Sequence, residues 1–119
     1  LMVASYLGGC SIATSYVGLV HPFSAGLSVV LGLHHCVANC IVLNVMSEFY
    51  PTEVDEFKSM CEAQKIEIPT NVCGNLADDK FDQLHDATLI HEKPLTNALG
   101  IDFRKVLTKH VTRRLFTAM

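Results

Sequence analysis

Residues 1–47 read LMVASYLGGCSIATSYVGLVHPFSAGLSVVLGLHHCVANCIVLNVMS and contain no Asp, Glu, Lys or Arg. The first charged side chain is Glu48, so every charged side chain of the protein lies in residues 48–119. A helix that is apolar on all sides is covered by protein or by lipid. Three explanations are therefore open for residues 1–47: a membrane hairpin, a self-contained helical core, or part of a larger protein whose other domain covers this surface.

The membrane explanation fits the sequence poorly. Residues 1–20 are long enough to span a bilayer, but they include several hydroxyl side chains and the Gly8-Gly9 pair. No Lys or Arg flanks them to set an orientation, and no positive region precedes them as in a signal peptide. We therefore expect no membrane partner. Because the chain starts inside an apolar helical pattern without a capping residue, we also expect a fragment of a larger protein.

Composition excludes two further classes of protein. The chain has 119 residues and a formal net charge of −3, from 9 basic and 12 acidic side chains. This is the length of one domain, and a nucleic-acid surface would need clustered cations that are absent here. Half of the residues are hydrophobic, which excludes a disordered tail.

The spacing of apolar residues predicts an all-α fold, because no strand-like alternation occurs. We predict one buried helix from Leu1 to about Val20 and a turn at His21, before Pro22. Residues 52–55 look like a capping arrangement. Further helices are predicted over 24–33, 34–50 and 54–64, from 78, and from 102, with loops at 69–77 and 94–100. The last helix is predicted to bury Phe103, Val106, Leu107, His110 and Val111 and to carry Lys109, Arg113 and Arg114 at its C-terminal end.

The cysteines favour a reduced, cytoplasmic protein. Their number is odd and no C-x-x-C pair occurs among Cys10, Cys36, Cys40, Cys61 and Cys73. In apolar helices a free Cys behaves as a small hydrophobic residue. A zinc site built from His35, Cys36 and Cys40 is a weaker alternative, because His35 and Cys36 point to different faces of a helix.

The histidines divide into two groups. His85, His91 and His110 lie among charged residues on amphipathic helices, where surface or boundary positions are expected. His21, His34 and His35 lie in the uncharged stretch. An imidazole there must be hydrogen-bonded, or neutral and metal-bound, to offset its desolvation. We predict that His21 and His35, at neighbouring helix ends, meet as two ligands of a divalent ion whose other ligands lie outside this chain.

The stretch Gly18-Leu19-Val20-His21, followed fourteen positions later by His35 and then by Val37-Ala38-Asn39, resembles the signature of the iron-containing (group III) alcohol dehydrogenases. The resemblance implies that His21 and His35 are metal ligands and that an Asp and a His on an upstream D-x-x-x-H helix complete the site. It implies Fe²⁺ or Zn²⁺ as the ion. The chain would then be most of the all-helical C-terminal domain of the dehydroquinate synthase-like fold.

The same resemblance implies that the partner is an N-terminal α/β domain that binds NAD(P), absent from these residues. Many members carry a further His where this chain has Ala25. Residues 21–28 and 32–36 look more like one branch, the 3-deoxy-manno-octulosonate 8-oxidases, which implies an alcohol or sugar-acid substrate. No catalytic or nucleotide-binding residue is assigned within the chain, and it is expected to be inactive alone. We also expect its apolar face to drive self-association into a homo-oligomer.

Two functional classes therefore remain open from the sequence. In the first, the chain belongs to an oxidoreductase and His21 and His35 bind metal. In the second, it is a non-enzymatic helical module or a membrane-associated hairpin in which both histidines are structural.

Overall fold

The computed structural model describes all residues, 1–119, and the fold is all-α, as predicted, with eight helices and no strand. The helices are α1 (Met2–Thr14), α2 (Val20–Leu31), α3 (His35–Val45), α4 (Pro51–Gln64), α5 (Asp78–Leu89), α6 (Glu92–Leu99), α7 (Phe103–Val106) and α8 (Lys109–Thr117).

Helix α2 is the centre of the molecule, packed against both α3 and α5. Phe23 and Leu27 are fully buried, and the Phe23 ring lies against Phe116 of α8 with centroids 5.1 Å apart. Gly26 brings α5 close, because a Cβ atom there would lie 3.1 Å from Thr88 Oγ1. The uncharged residues thus form a core through α2, with α5 and α8 supplying the opposite side.

The start of α2 differs from the prediction of a turn at His21. Pro22 lies in the first turn of the helix, where a proline is tolerated because its missing N–H would have no partner within the helix. The chain instead leaves helical geometry after Thr14, before Leu19. Leu19 N donates to Tyr50 Oη at 2.9 Å, and a Cβ on Gly18 would lie only 2.7 Å from that oxygen. Gly18 is needed because this approach is so close.

Helix α1 ends at Thr14, so the predicted single helix over residues 1–20 is wrong in extent, and no other part of the chain buries it. None of its thirteen residues is buried. The exposed fraction is 71% for Tyr6 and 60% for Leu7. No helix of the structure combines the length and apolarity needed to cross a bilayer.

Three further predictions fail in the second half of the chain. Helix α4 starts at Pro51 without a side-chain cap, so residues 52–55 do not form the predicted capping arrangement. Residues 94–100 lie largely in α6 rather than in a loop, because Pro94 occupies the first turn. The predicted last helix is broken between α7 and α8, where Thr108 accepts a hydrogen bond from Val111 N.

This break moves side chains away from their predicted positions. Lys109 lies at the N-terminal end of α8, not at the C-terminal end, and is held by Asp82 at 2.7 Å. Val106 and His110 are exposed and Val111 is only half-buried, whereas Phe103 and Leu107 are buried as predicted.

Candidate functional site

His21 occupies the second position of α2 and is half-buried. Its backbone carbonyl accepts a hydrogen bond from the hydroxyl of the fully buried Ser24, at 2.9 Å. Helix α2 is fixed on its other sides by the core residues Phe23 and Leu27. The imidazole of His21 is therefore presented from a rigid first turn.

His35 reaches His21 because the chain reverses after α2. His21 lies about 15 Å along the helix axis from Leu31, and the four residue steps from Leu31 to His35 can span about 14 Å when extended. Gly32 ends α2 in the left-handed conformation, with φ 71°, and His34 is extended. The connection therefore runs back beside α2 and starts α3 next to the first turn of α2.

The rings of His21 and His35 lie edge to face, with centroids 5.0 Å apart and an interplanar angle of 86°. An ion bound about 2.0–2.1 Å from one nitrogen of each ring would hold two imidazole centroids about 5 Å apart at tetrahedral angles. Neither ring makes a hydrogen bond with the protein. Among the histidine rings of the chain, only that of His85 makes one. The donor type and the spacing of the pair fit two ligands of Fe²⁺ or Zn²⁺.

A third imidazole, that of His91, joins this pair from a boundary position, one of the two kinds of position predicted for it. Its centroid is 5.9 Å from that of His21, at an interplanar angle of 73°. His91 is half-buried at the junction of α5 and α6. The sequence prediction missed it because only packing brings α6 beside α2, and no spacing within residues 84–99 signals that approach. We call His21, His35 and His91 the histidine cluster.

The electrostatics of the cluster favour a neutral His21. Burial lowers its pKa, and the nearby imidazoles of His35 and His91 lower it further. No carboxylate is among the groups that shift this pKa. A neutral imidazole has a lone pair available for a ligand bond.

The cluster is not a complete metal site. No three His, Cys, Asp or Glu side chains of the chain lie in an arrangement that could hold an ion. His21 and His35 therefore provide two ligands at most, and further donors are needed for a metal centre. The zinc alternative of His35, Cys36 and Cys40 is excluded by the same observation.

The remaining candidates lie elsewhere. His34 is the exposed residue before α3 and contributes no contact to the cluster rings. All five cysteines are free thiols, and burial raises the pKa of Cys73 to about 11. His85 Nδ1 lies 2.8 Å from Thr112 Oγ1, across the contact between α5 and α8.

His85 is thus a boundary residue and His110 an exposed one, as predicted.

A comparison with models of known protein families finds none that matches the chain. The site is therefore defined by its own geometry: the rings of His21 and His35 lie close together without a hydrogen bond to the protein, and the ring of His91 lies beside that of His21.

Proposed function

We propose that this chain is the helical, metal-binding part of a metal-dependent alcohol dehydrogenase or oxidase, in which His21 and His35 supply two ligands of an Fe²⁺ or Zn²⁺ ion. The observation that carries the proposal is the 5.0 Å separation of the two rings. It matches the spacing of two imidazoles on one ion, although the residues come from different helices. The resemblance around residues 18–39 supports the same pair.

The residues of this chain would hold the ion and fix the orientation of its two histidine ligands. Ser24 and the core around Phe23 fix the first turn of α2, and the reversal at Gly32 fixes His35 against it. When bound, the ion would supply Lewis-acid activation of a substrate hydroxyl, and NAD(P) would accept the hydride. The neutral state of His21, which burial favours, keeps its nitrogen free for the ion.

The exposed α1 supports the part of the proposal that concerns a partner domain. Its thirteen residues carry no charge and none is buried. Apolar surface of this extent marks a contact with another protein surface. We propose that the nucleotide-binding α/β domain of the same protein covers it and brings the missing ligands, and that the intact enzyme is a homo-oligomer.

The substrate class rests on the resemblance. The likeness of residues 21–28 and 32–36 to the 3-deoxy-manno-octulosonate 8-oxidases supports a primary alcohol, with a sugar acid as the class. Ala25 lies one helical turn after His21, at the position where many members of the resembled family carry His. The isolated chain is expected to show no turnover, because two ligands and the nucleotide domain are lacking.

The test is metal analysis of the intact polypeptide that contains this chain. We expect H21A and H35A each to lower metal affinity by more than about tenfold, since loss of an outer partner alone costs about 10–100-fold. Metal content after dialysis is measured by plasma mass spectrometry, and helix content by circular dichroism. H34A is the matched control, because His34 adjoins His35 but lies outside the cluster.

Two results would contradict the proposal. Unchanged metal content in both H21A and H35A would exclude them as ligands. Loss of helix content in both variants, with no metal in the folded wild-type polypeptide, would instead favour a non-enzymatic helical module with structural histidines.

A further inference from the structure

The C-terminal segment of the chain concentrates positive charge. Residues 103–119 contain five of the nine basic side chains and none of the twelve acidic ones. The five are Arg104, Lys105, Lys109, Arg113 and Arg114. Helix α8 turns Thr112, Leu115 and Phe116 into the core, so its basic side chains lie on the outer side of the helix.

An open cavity of about 500 Å³ lies on this outer side of α8. Its lining residues are His110, Arg113, Arg114, Thr117 and Ala118. Residues three and four positions apart on a helix share one face, which is why His110, Arg113 and Arg114 line the same cavity. No carboxylate lines it, although the chain carries a formal net charge of −3.

Arg113 is fixed at the cavity by two contacts. Its Nη2 donates to Asp78 Oδ1 at 2.5 Å, and its guanidinium carbon lies 4.7 Å from the centroid of the Phe81 ring. Since Phe81 is buried, the guanidinium over it has little freedom to move. The bond to Asp78 uses one of the five N–H donors of a guanidinium, so Arg113 retains donors for a further oxygen ligand.

Arg114 is fixed in a similar way by a different part of the chain. Its Nη2 donates to Glu48 Oε2 at 2.5 Å, and Glu48 precedes α4, whereas Asp78 begins α5. His110 lies one turn earlier on α8, and its ring makes no hydrogen bond with the protein. Two guanidinium groups held by separate elements and one free imidazole therefore border the same space.

These donors suit a phosphate group. The planar guanidinium matches the oxygen atoms of a phosphate, and two guanidinium groups with an imidazole can contact three oxygens, more than a carboxylate has. The carboxylates of Asp78 and Glu48, which adjoin the cavity through their ion pairs, would repel the further charges of a polyanion. The cavity is larger than one phosphate group, so room remains for the organic group of a monoester.

We infer that the outer face of α8 binds the phosphate group of a small phosphate monoester, with Arg113 and Arg114 holding its oxygens and His110 donating a further hydrogen bond. Because the positions of both guanidinium groups are fixed before the ligand arrives, little conformational entropy is lost on binding. None of the residues of the histidine cluster lines this cavity. The inference therefore stands independently of the proposed function.

The probes are glycerol 3-phosphate and glycerol, which differ by one phosphate group. Their affinities for the intact polypeptide that contains this chain are measured by isothermal titration calorimetry in a phosphate-free buffer at constant ionic strength. We expect glycerol 3-phosphate to bind and glycerol not to bind. R113Q and R114Q should each weaken glycerol 3-phosphate binding by about tenfold, the value of one charge-assisted hydrogen bond. R113K keeps the charge without the planar fork and should lie between wild type and R113Q.

R104Q is the matched control. Arg104 also donates to a carboxylate, that of Glu92 at 2.6 Å, and its guanidinium carbon lies 5.1 Å from the centroid of the Phe103 ring, but it does not line the cavity. Exposed ion pairs contribute little to stability, so all variants should retain the helix content of wild type in circular dichroism.

Three results would overturn the inference. The first is a wild-type polypeptide that does not bind glycerol 3-phosphate. The second is an affinity that R113Q and R114Q leave unchanged, or that R104Q lowers equally, since the contact would then not be at this cavity. The third is tighter binding of inorganic phosphate than of glycerol 3-phosphate, which would assign the cavity to free phosphate instead of a monoester.

Discussion

Helices α1 and α2 have the same kind of composition and opposite surroundings. Both lack charged side chains, and they differ by one residue in length. No residue of α1 is buried, whereas α2 buries Pro22, Phe23, Ser24, Gly26 and Leu27. The two helices differ in burial because α2 packs between α3 and α5, whereas no helix packs against α1 to a comparable extent.

An apolar composition indicates that a helix packs against another surface, but it does not identify that surface. Of helices α1 and α2, only α2 is covered by the rest of the chain, and its first turn carries His21. The site is therefore built on the buried helix. The following predictions test whether the two helices differ in stability as they differ in burial.

The largest difference is expected between aromatic residues of the two helices. F23A removes a fully buried ring that packs on Phe116 and should lower the free energy of unfolding by about 3–5 kcal/mol. Y6A removes a ring that is 71% exposed, and should change it by less than about 0.5 kcal/mol. Urea unfolding followed by circular dichroism measures both. Equal losses would show that α1 is buried in solution.

A smaller difference is expected between two glycines. In G26A the new Cβ would lie 3.1 Å from Thr88 Oγ1, and that hydroxyl already donates to Leu84 O at 2.8 Å. Thr88 has little freedom to move, so overpacking should exceed the gain in helix propensity and cost about 1 kcal/mol net.

G8A is the matched variant in α1, where a new Cβ meets nothing within 4 Å. Alanine should favour the helix by up to about 1 kcal/mol and slow amide hydrogen exchange in α1. A stabilising effect of G26A would show that the contact between α2 and α5 is looser than the structure indicates.

The smallest effect is the pH dependence contributed by His85, which is half-buried at the contact between α5 and α8. Burial lowers the pKa of His85 below its usual 6.5, a shift that Asp86 partly opposes. The unfolded state therefore takes up the proton first as pH falls below about 6.5, so the unfolding free energy decreases. H85Q should flatten this decrease between pH 7.5 and 5.5 in thermal unfolding, whereas H34Q at an exposed position should not. An unchanged slope in H85Q would exclude His85 as its source.

Much of the local structure could be predicted from the sequence. The all-α class, the end of α2 at Gly32, the end of α4 at Gln64 and the start of α5 at Asp78 follow from periodicity and end signals. His21 and His35 were predicted to meet, and their rings lie 5.0 Å apart. Their role as metal ligands stays a prediction.

The predictions that the structure contradicts concern helix boundaries at prolines and packing between helices. Pro22 and Pro94 were interpreted as breaks, yet a proline in the first turn of a helix loses no hydrogen bond. The exposure of α1 within this chain and the approach of His91 to His21 both depend on which helices pack together. The local spacing of apolar residues predicts helices, but it does not predict which residues distant in sequence come into contact.

The sequence by itself determined the helices and the concentration of apolar residues in the first 47 positions, because periodicity, glycine and charge act over a few residues. Only the tertiary structure decided that α2 is buried and α1 exposed, and that His91 stands beside His21. Those outcomes depend on contacts between residues as many as 93 positions apart, such as Phe23 and Phe116, where packing and burial, not local preference, set the free energy.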